Sequence, residues 1–157
     1  MKPIGNESVR LNHFGIKEFS RNGVDWFRYM DPRLLVMLDT WRFYTDTPIY
    51  VSGSPQAVGR NLGEDSPSQH NVDYHGIVRA VDVLPEGTEN NEQVINLLSA
   101  AKQLGFTGIG FYPQWSPRPG FHVDTRVTDH PSDPATWGYV DGEYISLERA
   151  LEFFQKQ

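Results

Sequence analysis

The segment Ile77-Val78-Arg79-Ala80-Val81-Asp82-Val83-Leu84 constrains this chain most, because every position except Arg79 and Asp82 is apolar. A run that is apolar on both faces suits a strand inside a sheet, where neither side reaches water. Two charges in such a strand are costly to desolvate and call for a chemical reason. Asp82 is the first residue that needs explaining. Around this strand the pattern is mixed. Asp31-Pro32 reads as an N-cap followed by proline at the first helical position, and Leu34, Leu35, Leu38 and Trp41 recur at helical spacing, predicting a buried helix over 32–45. After Pro48, Ile49-Tyr50-Val51-Ser52 has strand composition, and a polar loop runs from Gly53 through Gln69.

Glu89 to Leu104 carries apolar residues at helical spacing and ends before Gly105, where a left-handed C-cap falls. Gly108 to Tyr112 and Gly120 to Asp124 read as two strands of a hairpin-like pair joined by the loop PQWSPRP. Trp137 to Val140 is expected to add an edge strand, and Ser146 to open a C-terminal helix ending near Phe154. A chain of 157 residues with 13% aromatics has the length and the burial capacity for one core.

Charge and cysteine count narrow the chemistry. A net charge of -6 without a local basic patch disfavours nucleic acid as a partner. No apolar run approaches the ~20 residues of a membrane span, which argues against membrane insertion, and the N-terminus MKPIGNESVR has no apolar stretch of the Sec signal type. With no cysteine, disulfides, thiolate nucleophiles and Cys-ligated zinc are excluded, so a metal site must use His and carboxylates. Three such residues stand on or beside strands: His70 in SQH, Asp82 in RAVD and His122 in FHVD. Two imidazoles and one carboxylate form a common catalytic zinc set, although each residue alone is more often a hydrogen-bonded core His or a turn-capping Asp.

In this order, SQH, RAVD and FHVD resemble the zinc D-Ala-D-Ala carboxypeptidase and L-alanoyl-D-glutamate endopeptidase family, whose fold is shared with the hedgehog signalling domain. HFGIKEF, the LLVMLDTWR helix leading to PIYVSG, and GFTGIGFYP before FHVD extend the likeness over most of residues 13–126. The resemblance implies an α+β fold with a mainly antiparallel sheet, helices on one face and the metal on the other. It implies a single zinc peptidase-like domain that hydrolyses an amide in peptidoglycan stem peptides, with His70, Asp82 and His122 as ligands. A stand-alone acidic domain resembles phage lysis or virion-associated members, placed in the host cytoplasm before lysis or on the virion.

Two departures from the family pattern matter. His70 lies twelve residues before Asp82, whereas His75 stands at the usual separation of seven. His70 is preferred because Ser68 and Gln69 supply the ligand context, leaving His75 as a supporting donor or substrate contact. The interval from Gly105 to Phe121, where relatives place an acid or His, has neither. Asp124 is the nearest acid, about 7 Å along the strand from His122 and on the same face, and serves either as the base or to orient a ligand imidazole. His75 is the other candidate for proton transfer. The resemblance puts at about Arg60 an arginine that stabilises the substrate carbonyl or carboxylate, and the alternative is a loop arginine in a solvated ion pair. Tyr112, Trp115 and Trp137 line a cleft or, more commonly for aromatics beside strands, belong to the core. Asn12-His13 and Asp129-His130 read as surface features, and the sequon at Asn6 as incidental. The competing readings are a non-catalytic zinc protein, such as a virion component, and a metal-free binding module.

Overall fold

The computed structural model describes residues 2–157. Helix α1, Pro32–Thr45, begins where Asp31 accepts a hydrogen bond from the Arg33 amide and ends at Asp46 in the left-handed conformation. Its buried stripe is Leu34, Leu35, Leu38 and Trp41. Strand β3, Ile49–Val51, follows. It is preceded by a two-stranded ribbon, β1 (Ser20–Arg21) and β2 (Val24–Asp25), turned by Asn22-Gly23 with both φ positive. The short helix α2, Val72–His75, lies in the long connection to β4, Ala80–Pro85. Helix α3, Asn91–Leu104, is capped by the Asn90 side chain and stopped by Gly105 at φ 97°. The remaining elements are β5 (Gly108–Tyr112), β6 (Gly120–Asp124), β7 (Ala135–Val140), β8 (Glu143–Ile145) and α4 (Leu147–Gln155).

Six strands form one sheet in the order β3-β4-β6-β5-β7-β8, antiparallel except for the parallel pair β5 and β7. The fold is therefore mixed α+β with a mainly antiparallel sheet and four helices. Alternation along the central strands sends Val81, Val83, Ile109, Phe111, Phe121 and Val123 to one face, and all are buried. Trp41 of α1 packs edge-on against Phe121 at 6.0 Å and donates its indole N–H to the Leu97 carbonyl of α3. Phe154 of α4 meets Phe111 at 5.5 Å. The three longer helices thus cover one face and leave the other for the polar residues of β4 and β6.

Two boundaries differ from expectation. The strand expected from Ile77 begins at Ala80, because Val78 makes an isolated bridge to Met30 and the Arg79 amide bonds to the Gln69 carbonyl. Trp137 to Val140 is not an edge: β7 lies inside the sheet, and β8 forms the edge after a tight Asp141-Gly142 turn with both φ positive. No helix among the described residues is long and apolar enough to cross a membrane.

Candidate metal centre

Register brings the ligand candidates together. Asp82 on β4 pairs directly with His122 on β6, and His122 pairs with Gly110 on β5. His70 arrives from the loop before α2. The hydroxyl of Ser68 accepts from the His70 amide, and the Arg60 amide donates to the His70 carbonyl, so the Ser-x-His context is a local turn that fixes the ligand's backbone. The unusual spacing between His70 and Asp82 has a structural explanation. Asn71 through His75 form the capped turn of α2, and the Arg79 amide then closes the excursion on the carbonyl of Gln69. The intervening residues loop out, and His70 still stands 3.3 Å from Asp82.

The donor atoms converge. His70 Nε2 lies 3.2 Å from His122 Nδ1, and Asp82 Oδ1 lies 3.3 Å from each. All three residues are buried, at 2%, 8% and 8% exposure. The opposite ring nitrogens are committed elsewhere: His70 Nδ1–H donates to the Val58 carbonyl at 2.6 Å, and His122 Nε2–H to Asp124 Oδ2 at 2.7 Å. These bonds fix the tautomers and point two imidazole lone pairs and a carboxylate oxygen at one place. Such a constellation calls for a proton or a metal cation among its donors, and the cluster can hold a metal ion. Its ionisation tendencies follow from burial and from the contacts within the cluster. Burial holds His70 below its ordinary value, against the pull of Asp82. Burial also acts to lower His122, but its bonds to Asp124 and Asp82 outweigh it and raise the ring. Burial would raise Asp82, yet the two imidazoles hold it well below the usual carboxylate range.

Asp124 lies behind His122. Fully buried, it accepts from His122 on one side and from the Arg126 guanidinium and amide on the other. These donors outweigh burial and hold its carboxyl well below the usual range. Two glycines make the arrangement possible: a Cβ on Gly108 would lie 2.2 Å from Asp124 Oδ2, and one on Gly110 would lie 2.5 Å from Trp137 Nε1. Trp137 therefore leans to 5.0 Å from the His122 ring, and the Arg126 guanidinium lies 5.1 Å from the centroid of Trp137.

The donors open into a cleft of about 430 Å³ whose walls include Arg60, Tyr112, Trp115, Arg126, Trp137 and Tyr144. The aromatics Tyr112, Trp115 and Trp137 thus line a cleft and are not core residues. Arg60 Nη2 stands 3.5 Å from Asp82 Oδ2, which places it beside the cluster. Tyr112 accepts from the Trp137 indole at 3.1 Å, and burial pushes its hydroxyl up to about 12. His75 is not brought to the cluster: its Nε2–H donates to the Pro67 carbonyl at 3.1 Å from the last turn of α2. Asn6 is buried, its amide donating to the carbonyls of Phe27 and Met30, so the sequon has no free acceptor nitrogen in the fold. Sequence reasoning missed Arg126, although its place two residues after Asp124 on the exit from β6 is the signal that could have found it. Comparison with protein-family models, curated proteins and solved structures finds no match to this chain.

Proposed function

We propose that the chain is a zinc-dependent peptidase that hydrolyses an amide bond in peptidoglycan stem peptides. The observation that carries this reading is the triangle of His70 Nε2, Asp82 Oδ1 and His122 Nδ1, with sides of 3.2, 3.3 and 3.3 Å, on the floor of an open cleft. Ligands at the bond lengths of tetrahedral zinc, ~2.0–2.1 Å, stand roughly 3.3–3.4 Å apart, so the donor set fits that ion in chemistry and in size. The resemblance of SQH, RAVD and FHVD to the zinc D-Ala-D-Ala carboxypeptidase family supports the substrate class.

Zinc held there supplies Lewis acidity to a carbonyl group and acidifies water at neutral pH. The residues of the chain supply the rest. Val58 and Asp124 hold the far ring nitrogens as N–H, so that the neutral imidazoles turn their lone pairs to the metal site, and Arg126 keeps Asp124 ionised for that purpose. Arg60 donates to the substrate carbonyl oxygen as negative charge develops on it. Tyr112 stays neutral and offers a hydroxyl on the cleft wall.

A non-catalytic zinc protein on the same scaffold is the second reading, and one observation favours it. Asp82 is the only carboxylate among the described residues lining the cleft, and Asp124 is occupied by His122 and Arg126, so no carboxylate base faces the cleft. Digestion of purified peptidoglycan by the zinc-loaded chain, followed by mass spectrometry of the soluble products, separates the two. New peptide termini that appear with zinc and vanish with chelator support the peptidase. A chain that retains about one zinc and releases nothing from several wall chemotypes supports the non-catalytic protein.

A further inference from the structure

We infer that the cleft takes an internal bond of an extended chain and not the last residue before a free carboxylate. This inference rests on the peptidase reading and specifies its substrate. The metal-ligand cluster is not at the blind end of a pocket. Arg60, Asp82 and Trp115 line the main cleft of about 430 Å³ and also a second lobe of about 310 Å³, whose remaining wall includes Ser52, Ser54, Leu84 and Ser116. Beyond Arg60 and Gln56 a further cavity of about 340 Å³ continues toward Asn22 and Trp26. A chain laid across Asp82 therefore has room on both sides of it.

The charges agree with the space. Recognition of a terminal carboxylate is normally a forked contact, in which an arginine presents Nε and Nη2 together to both carboxylate oxygens. Among the described residues, the cations lining these three cavities are Arg21, Arg60 and Arg126. Arg126 has its Nε and Nη2 fork on both oxygens of Asp124. Arg60 has Nε on the Gln56 carbonyl and Nη2 at Asp82, which takes that donor fork and leaves it a single-point contact for the substrate carbonyl, and Arg21 donates to the carbonyls of Glu18, Ser20, Ser52 and Ser54. Besides Arg60 and Asp82, the second lobe offers neutral polar groups, three serines and Gln56, which match the amides and hydroxyls of a continuing chain. The stacked pair Tyr112 and Trp115, 4.1 Å between centroids, gives that chain an apolar wall where the lobes meet.

The test uses the zinc-loaded full chain and one stem pentapeptide in three forms: the free acid, the C-terminal amide, and a version extended by two residues. Binding is read from quenching of tryptophan fluorescence, and products by mass spectrometry. The amide and the extended peptide should bind as tightly as the acid or tighter, and cleavage should leave residues on both sides of the broken bond. Free acid binding about tenfold tighter than the amide, or release of the C-terminal residue alone, overturns the inference while leaving the peptidase in place. Absence of both quenching and cleavage for all three forms, with zinc content confirmed, rejects the stem-peptide reading and the inference with it. Ser54→Trp, which narrows the second lobe, should weaken the extended peptide about tenfold without loss of zinc. Unchanged binding would show that lobe to be idle and would overturn the inference. A variant that misfolds is recognised by its lost zinc, and the comparison of the three peptides on the wild-type chain then decides alone.

Discussion

At the scale of single residues, the site depends on which nitrogen of each imidazole is left without a proton. His70→Ala removes a donor atom and should abolish stoichiometric zinc binding, whereas His75→Ala removes only a bond to the Pro67 carbonyl and should leave zinc affinity within about tenfold of wild type. Titration of both variants with zinc against a competing chelator checks this, and the reverse order would move the ligand to the conventionally spaced histidine. Asp124→Asn is the sharper experiment. An asparagine amide turned toward His122 Nε2 favours the tautomer with its proton on Nδ1, the nitrogen that faces Asp82. Zinc affinity should then fall by 10–100-fold, as for other lost ligand-orienting groups. A base facing the substrate would behave differently, losing turnover with zinc binding intact. The buried position of Asp124, between His122 and Arg126, is the physical ground for expecting loss of metal.

At the scale of elements, β5 is shaped by what its neighbours need. Gly108 and Gly110 lie in register with Asp124 and His122 respectively, and neither leaves room for a methyl group. Gly110→Ala should push Trp137 away from His122, cost about 1–3 kcal/mol in urea unfolding and shift the tryptophan emission. Gly53→Ala, where nothing lies within 4 Å of the added Cβ, should stay within about 0.5 kcal/mol and serves as the control. The same elements explain what was legible in the sequence. Helices α1, α3 and α4 carry local signals, namely Asp31-Pro32, the apolar spacing that ends before Gly105, and Ser146, and the local rules placed them. The cluster residues His70, Asp82 and His122 were legible as motifs because each stands in a short string of its own, SQH, RAVD and FHVD. The roles of Gly108, Gly110, Arg126 and Trp137 were not, since they arise from pairing across β6, β5 and β7, and the parallel pairing of β7 has no local signature. The interior position of β7 was missed although Asp141-Gly142, a tight-hairpin signal, stood beside it. His75 was attractive by spacing alone, and spacing does not reveal that α2 loops out of the way.

At the scale of the whole molecule, the cluster ties distant parts of the chain together, so its occupancy should be felt in global stability. His70 anchors the long loop through Val58 and Arg60, Asp82 lies on an interior strand, and Thr125, just past Asp124, bonds to Asp31 at the start of α1. A ligand that binds only the folded state at a hundred times its dissociation constant stabilises by about 2.7 kcal/mol. For a chain of 157 residues this corresponds to a rise in Tm of roughly 5–11 °C. Adding zinc to chelator-treated protein should produce a shift of that order, measured by calorimetry, and His122→Ala should show none. The shift should also depend on pH, with a sign set by His122. In the metal-free chain its carboxylate partners raise it above the ordinary imidazole value of 6.5, against burial, so its proton stabilises the fold fully below that value. This contribution fades as pH rises through the raised folded value. Zinc competes with the same proton for Nδ1, so its stabilisation grows over the same interval. The difference in Tm between zinc-loaded and chelated protein should therefore widen as pH rises from about 5.5 to 8. A shift that stays constant across that range, or narrows with rising pH, would mean that the bound metal does not use His122 Nδ1.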